Sequence, residues 1–209
     1  MLFRVIPVKN FKVLDVNLKL RWYRDYIVLF GTIFFYLSGG DTVIELQLYS
    51  HEQDIALELI SGFWLCHSNY RQTPQEALKD LTAWTRVGHT LYFILLDKKK
   101  VGFIHLGSRG GEIDWLEDIF VLPQFQGQVI GTRAIALAEE IVSQYSVSMY
   151  IEAAARNAAA IRLYQRLGYT CLNTISVRKD FAGYEYDIVK KEKLYDLDFE
   201  IRKDKQQEE

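Results

Sequence analysis

The chain has 209 residues, 49% of them hydrophobic, which is enough for one buried core of ordinary domain size and excludes a disordered polypeptide. Its 25 Lys plus Arg stand against 27 Asp plus Glu, a formal net charge of −2, so no basic excess points to nucleic acid or an anionic membrane surface. The two cysteines, Cys66 and Cys171, lie far apart in no ligand-like spacing, which suits a reduced cytoplasmic protein better than a disulfide framework or a zinc site.

The start, MLFRVIPVKN, has no long apolar stretch followed by a small-residue cleavage site, so no secretion signal is expected. The most apolar run, Tyr26 to Leu37, is interrupted by Gly31 and Thr32 and falls short of the roughly 20 residues a bilayer crossing needs. It reads as buried strand. With Phe3 to Val8 and the alternating Val13 to Leu20, it makes residues 1–42 a small antiparallel β extension bounded by Gly39 to Thr42. So few strands are marginal alone, so this unit is expected to pack on the main domain or on a second copy of the chain, as a homodimer.

From Val43 the pattern is mixed α and β. Glu45 to Tyr49 predicts a strand, and Ser50-His51-Glu52-Gln53 a capping box opening a helix with Ile55, Leu59, Phe63 and Trp64 inward. Thr73-Pro74-Gln75-Glu76 repeats the device before Leu78, Leu81 and Trp84. Leu91 to Leu96 and Val101 to Leu106 flank a turn at Asp97 to Lys100, and Ile113 to Val121 adds a third strand, giving a meander. Ile130 to Ser143 reads as a helix with Ala134, Leu137 and Ile141 inward, Val147 to Glu152 as a strand, and Ala158 to Leu167 as a helix stopped by Gly168. Two closing strands are expected over Tyr169 to Val177 and Tyr184 to Val189, and residues 193–209 read as a charged, solvated tail.

The segment richest in chemistry is Ile119 to Thr132, where a strand breaks at Pro123 and runs through Gln126-Gly127-Gln128-Val129-Ile130-Gly131 into a helix. Free N–H groups at such a helix start, with the positive end of the dipole, make a seat for a diphosphate. Further on comes Asn157-Ala158-Ala159-Ala160-Ile161-Arg162-Leu163-Tyr164-Gln165-Arg166-Leu167-Gly168-Tyr169. Together, the Q-x-x-x-x-G loop and the N-x-A-A-x-x-L-Y-x-x-L-G-Y helix resemble the GNAT acetyltransferases, most nearly the ribosomal-protein N-terminal acetyltransferases. The resemblance covers residues 43–192 in element order and is specific from Ile119 to Tyr169. It implies the GNAT fold, a mixed α/β (α+β) arrangement with a central, mostly antiparallel twisted sheet flanked by helices. It also implies a cytoplasmic, acetyl-CoA-dependent N-acetyltransferase. One departure stands out: Val129 occupies the position of the family's central loop glycine. Valine is allowed in helical φ/ψ but restricts close approach to a diphosphate, and Gly127 just upstream offsets part of this.

By resemblance, backbone groups of Ile119, Phe120 and Val121 hold the pantetheine arm and thioester oxygen of coenzyme A. The loop and helix start at Gln126, Gly127, Gln128, Val129, Ile130, Gly131 and Thr132 hold its diphosphate, and Asn157 caps the next helix and reaches the cofactor. Acetyl transfer to an amine in a ternary complex needs a neutral nucleophile, a stabilised oxyanion and a proton for the leaving thiolate. Tyr164 matches the family tyrosine that supplies that proton. Glu152, twelve residues before it, is the favoured base and Glu117 the competitor. The acceptor is expected to be a small-molecule or peptide amine, drawn by Glu112, Asp114, Glu117 and Asp118, with Phe63, Trp64 and Tyr70 either lining its cleft or packing in the core. His51, His67, His89 and His105 lack i, i+4 or HxH spacing, so they read as surface or core residues and no metal is assigned. The alternative reading is a catalytically weak acyl-CoA-binding regulatory or oligomerisation module, motivated by Val129 and the N-terminal strands.

Overall fold

The computed structural model describes residues 26–29, 32–36 and 43–205. Strands β1 (Tyr26–Leu29), β2 (Thr32–Tyr36), β3 (Val43–Leu48), β4 (His89–Leu96), β5 (Lys99–Gly107), β6 (Trp115–Val121) and β7 (Tyr150–Ile151) form one sheet in chain order. Every pairing in it is antiparallel except β6 with β7, which is parallel. Helices α1 (Gln53–Ser68) and α2 (Pro74–Trp84) follow β3, α3 (Ile130–Val142) joins β6 to β7, and α4 (Ala158–Arg166) follows β7. Among the described residues no helix is long and apolar enough to cross a membrane.

The strands read as nearly continuous apolar runs because both faces of the sheet are covered. On one face α1 and α2 bring Leu59, Ile60, Phe63, Leu81 and Trp84 against Leu91, Phe93, Phe103 and Phe120. On the other, α3 brings Ile130, Ala134, Ile135, Leu137 and Val142 against Ile44, Leu46, Ile94, Ile104 and Leu106. The β4–β5 hairpin closes through Asp97 and Lys98 at φ 49° and 70°, the paired left-handed residues whose twist matches a two-residue hairpin loop. Asp97 also accepts the Val43 N–H at 2.8 Å, pinning β3 to that turn.

Several elements differ from the sequence expectation. Within the run Tyr26 to Leu37 the described residues form two strands, and β2 pairs with β3, so they extend the main sheet; Phe3 to Val8, Val13 to Leu20 and the Gly39 to Thr42 boundary lie outside the described residues. No capping box opens α1: Glu52 is its N-cap, and its carboxylate turns back to the Ser50 hydroxyl and the His51 N–H. The helix is rotated from the expected stripe, burying Ala56, Leu59, Ile60 and Phe63 while Ile55 is exposed. The α2 box forms as expected, Thr73 Oγ1 accepting from the Glu76 N–H at 3.3 Å and the Glu76 carboxylate accepting the Thr73 N–H at 2.7 Å, though Ala77 rather than Leu78 is buried. Beyond α4 no strand forms over 169–177. Instead β8 (Tyr186–Leu194) pairs with β9 (Leu197–Asp204) in a sheet of its own, so the two expected closing strands do not flank β7. Part of the expected charged tail is thus strand β9, held on β8 by the two-residue turn Tyr195-Asp196 and still largely exposed; residues 206–209 lie outside the described set.

At Gly102 an added Cβ would stand 2.1 Å from the Phe120 carbonyl oxygen of the neighbouring strand. Gly102→Ala must therefore unpair β5 from β6. It is expected to destabilise the protein by about 3 kcal/mol, a fall in Tm of roughly 10 °C in thermal unfolding. A melting point within error of wild type would show that the two strands are not so close.

Candidate active site

β6 is paired with β7 only at Trp115↔Tyr150 and Leu116↔Ile151, where the two aromatic rings stack at 4.8 Å. From Glu117 to Val121 it keeps β5 on one side, and no strand among the described residues borders the other. The β5–β6 register slips at the same point: His105 faces Asp118 and Leu106 faces Leu116, leaving Glu117 as an extra, bulged residue. Such bulges re-aim side chains and end pairing. An open edge of backbone donors and acceptors therefore begins at Glu117 and includes Ile119, Phe120 and Val121.

That edge runs into a single 3-10 turn, Pro123–Phe125, and the loop to α3. The Gln126 amide donates to the Val121 carbonyl at 2.7 Å, tying the loop to the end of β6, and Gln128 donates to the Gln124 carbonyl at 3.2 Å. Gly127 and Val129 both have positive φ, 73° and 65°. Val129 is therefore not in helical conformation as the sequence suggested. It is the left-handed N-cap of α3, with no side-chain cap bond. A β-branched residue there is strained. The first turn of α3, Ile130 to Thr132, carries no acidic side chain, so its free N–H groups and positive dipole end are not neutralised. Gly131 faces Val121 and Ile119, with room for an added Cβ at 3.9 and 4.0 Å. The helix start thus sits beside the open edge of β6, and the pair fits an extended chain ending in a diphosphate.

Asn157 caps α4, its Oδ1 accepting the Ala160 N–H at 3.1 Å, as the sequence predicts for a capping role. Tyr164 is half-buried against the α3-side core, and burial raises its phenol above the ordinary tyrosine range, so it stays protonated.

The two candidate bases come together through a residue the sequence reading missed. Arg109 donates to both carboxylates: Nη2 and Nε to Glu117 at 2.8 and 3.2 Å, and Nη1 and Nη2 to Glu152 at 2.7 and 3.0 Å. Its guanidinium lies 3.8 Å above the Trp115 ring. The hydrogen bonds from Arg109 hold the Glu152 carboxyl below the usual range, and both carboxylates push the arginine higher still. An arginine between two strands has no periodicity or motif to mark it, so only the fold reveals this contact. The other acidic residues disperse: Asp114 accepts from Ser146 Oγ at 3.0 Å, Asp118 turns to His105, and Glu112 is exposed. Phe63 is in the core, the Trp64 indole donates to Asp80 at 2.8 Å, and the Tyr70 hydroxyl donates to Glu76 at 2.6 Å. A cavity of about 470 Å³ lined by Ile55, Lys98 to Lys100, Leu122 and Gln124 lies at the opposite end of β5 from Arg109, next to the loop rather than to the carboxylates.

Residues 56–169, more than half of the chain, match the sequence profile of the acetyltransferase (GNAT) family. No curated protein matches the chain. Among solved structures the fold superposes with a TM-score of 0.53 on a probable acetyltransferase at 17% identity, covering 65% of this chain and 99% of that one. It superposes equally, at 0.53 and 15% identity, on an aminoglycoside acetyltransferase from an uncultured soil metagenomic sample in complex with sisomicin, covering 66% of this chain and 95% of that one. An aminoglycoside N-acetyltransferase in complex with CoA gives 0.53 at 16% identity, with 69% and 99% covered. At such identities the likeness is one of fold.

The strain at Val129 is measurable. Val129→Gly should stabilise the protein by about 1 kcal/mol, because relief of the left-handed conformation outweighs the extra unfolded-state freedom of glycine. Calorimetric melting would record this as a rise of roughly 2–4 °C in Tm. A fall would mean that the loop does not hold Val129 left-handed.

Proposed function

Because the chain belongs to the acetyltransferase (GNAT) family, whose cofactor is acetyl-CoA, we propose that it transfers an acetyl group to a primary amine by direct attack in a ternary complex. The observation that carries this reading is the open β6 edge meeting an unneutralised helix N-terminus, because pantetheine and diphosphate need those two features in that order. The residues present fit the cofactor. Ile119, Phe120 and Val121 would align its arm through backbone groups, and the amides from Gly127 to Thr132, within the segment Gln126 to Thr132 that includes Gln128, Val129, Ile130 and Gly131, would face its diphosphate. Asn157, beyond its cap, would close the far side.

Acetyl-CoA supplies an activated thioester carbonyl with a thiolate leaving group. The chain supplies proton handling and orientation. Tyr164, kept protonated by burial, is the donor toward the leaving sulfur. Glu117 and Glu152, two carboxylates against the single Arg109 guanidinium, leave one net negative charge at the mouth of the cleft, suited to draw an ammonium group. Both are basic atoms at the place where the amine must lose a proton, Glu117 being the more shielded. A small amine is favoured by the fold likeness to aminoglycoside acetyltransferases, and a peptide N-terminus by the helix that resembles the ribosomal-protein N-terminal acetyltransferases. Both cysteines are free and exposed, in keeping with the reducing cytoplasm we assign. A second reading, a catalytically weak acyl-CoA-binding module, is favoured by Val129 alone.

With acetyl-CoA and a panel of small amines and peptides, the purified protein should release free thiol, and Tyr164→Phe should lower kcat about a hundredfold with little change in coenzyme affinity. Coenzyme binding without thiol release on any amine would favour the second reading. Absence of coenzyme binding in calorimetry would overturn both.

A further inference from the structure

The carboxylates at the cleft mouth are engaged by Arg109, and a histidine pair on the neighbouring strands lies over Gly107 beside Glu117. His105 on β5 is buried, 3% exposed, and its Nδ1 lies 2.8 Å from Asp118 Oδ2. Its Nε2 lies 2.9 Å from Nδ1 of His89 at the start of β4. Trp84 stacks on the His105 ring at 4.8 Å and closes the relay from the α2 side. A carboxylate only accepts, so His105 carries its hydrogen on Nδ1, and its Nε2 in the neutral ring must accept. His89 Nδ1 is then the donor. The lone pair of His89 is thereby left on Nε2, outside the relay. His89 is only partly buried, and it shares the space over Gly107 with the bulged Glu117: an added Cβ on Gly107 would stand 3.2 Å from His89 Nδ1 and 3.0 Å from Glu117 Oε1.

We propose that His89 Nε2 takes the proton from the acceptor ammonium, with His105 and Asp118 as positioning residues that fix its tautomer; the inference rests on the amine-acetylation reading above. The N–H bond of the ammonium breaks, its electron pair remains on nitrogen for attack, and the proton bonds to His89 Nε2. The hydrogen on Nδ1 can then pass to His105 Nε2, so the positive charge comes to rest beside the Asp118 carboxylate. On this inference Glu117 and Glu152, held by Arg109, orient the amine rather than serve as its base. The groups facing His89 are His105 from β5, Arg86 from the turn before β4 and Glu117 from β6. Burial, then His105 and Arg86, lower its pKa, with Glu117 opposing. The neutral, proton-accepting form is therefore present above a pKa lower than that of an ordinary histidine and is lost as pH falls through it.

Nitrogen-15 NMR of the full chain at neutral pH should show Nε2 of His89 bare and Nδ1 of His105 protonated; a proton on Nε2 of His89 would overturn the proposal whatever the activity. In thiol-release assays His89→Ala should lower kcat about a hundredfold, remove the acid limb of the kcat–pH profile and respond to added imidazole, while coenzyme affinity by calorimetry stays unchanged. His89→Gln, which keeps a polar side chain of similar size, should show the same loss without rescue. If the wild-type chain turns over an amine and both variants keep its rate and acid limb, this inference alone falls. If the wild-type chain acetylates no amine, the transfer reading falls and takes the inference with it.

Discussion

The site depends on a ladder of hydrogen bonds that stops after two residues. Parallel strands joined by a helix must make a right-handed crossover, so α3 has to start at the C-terminal end of β6 and deliver the chain to β7 alongside it. Because β7 pairs only at Tyr150 and Ile151, the backbone groups of Glu117 to Val121 on that side have no strand to bond among the described residues, and buried or half-buried backbone groups need partners. The same crossover that leaves the edge open also aims a helix N-terminus at its end. This is the general arrangement in which ligands seat beyond the carboxyl ends of parallel strands. The open edge and the helix N-terminus beside it are therefore two results of one connection.

Charge at the mouth is arranged with comparable economy. Arg109 lies over Trp115, which stacks on Tyr150, so the guanidinium is supported by the last aromatic pair before the strands part. From there it joins Glu117 of β6 to Glu152 just past β7, spanning the opening. Asp118 of β6, His105 of β5 and His89 of β4 make a second polar row that starts beside the same bulge. The bulge at Glu117 lets adjacent acidic residues serve different partners, Glu117 toward Arg109 and Asp118 toward His105.

What could be read from the letters was local or periodic. The meander, the Thr73 capping box, the loop into α3 and the apolar stripe of α3 follow from turn chemistry and spacing, and each forms in the structure. The failures came where long-range contacts decide. The α1 stripe turned because Ala56 and Ile60 fit beneath the helix where Ile55 and Trp64 were expected, a choice made by the opposing sheet. The strand expected over 169–177 had β propensity but no pairing partner. Arg109, and the relay from Asp118 to His89, join residues far apart in sequence, and no window of residues displays them. The left-handed backbone of Val129 was equally hidden, because valine gives no hint of a positive φ.

The hairpin of β1 and β2 bears on how this protein behaves when shortened. Strand β3 would otherwise form the rim of the sheet, and its row of amides and carbonyls is occupied because β2 lies along it from Ile33↔Leu46 to Tyr36↔Val43. A fragment beginning at Val43 would bare that rim beside the buried Ile44 and Leu46, a template on which other chains can add strands. The hairpin of β1 and β2 thus covers a rim that would otherwise be open to other chains, at the side of the sheet away from β6 and β7.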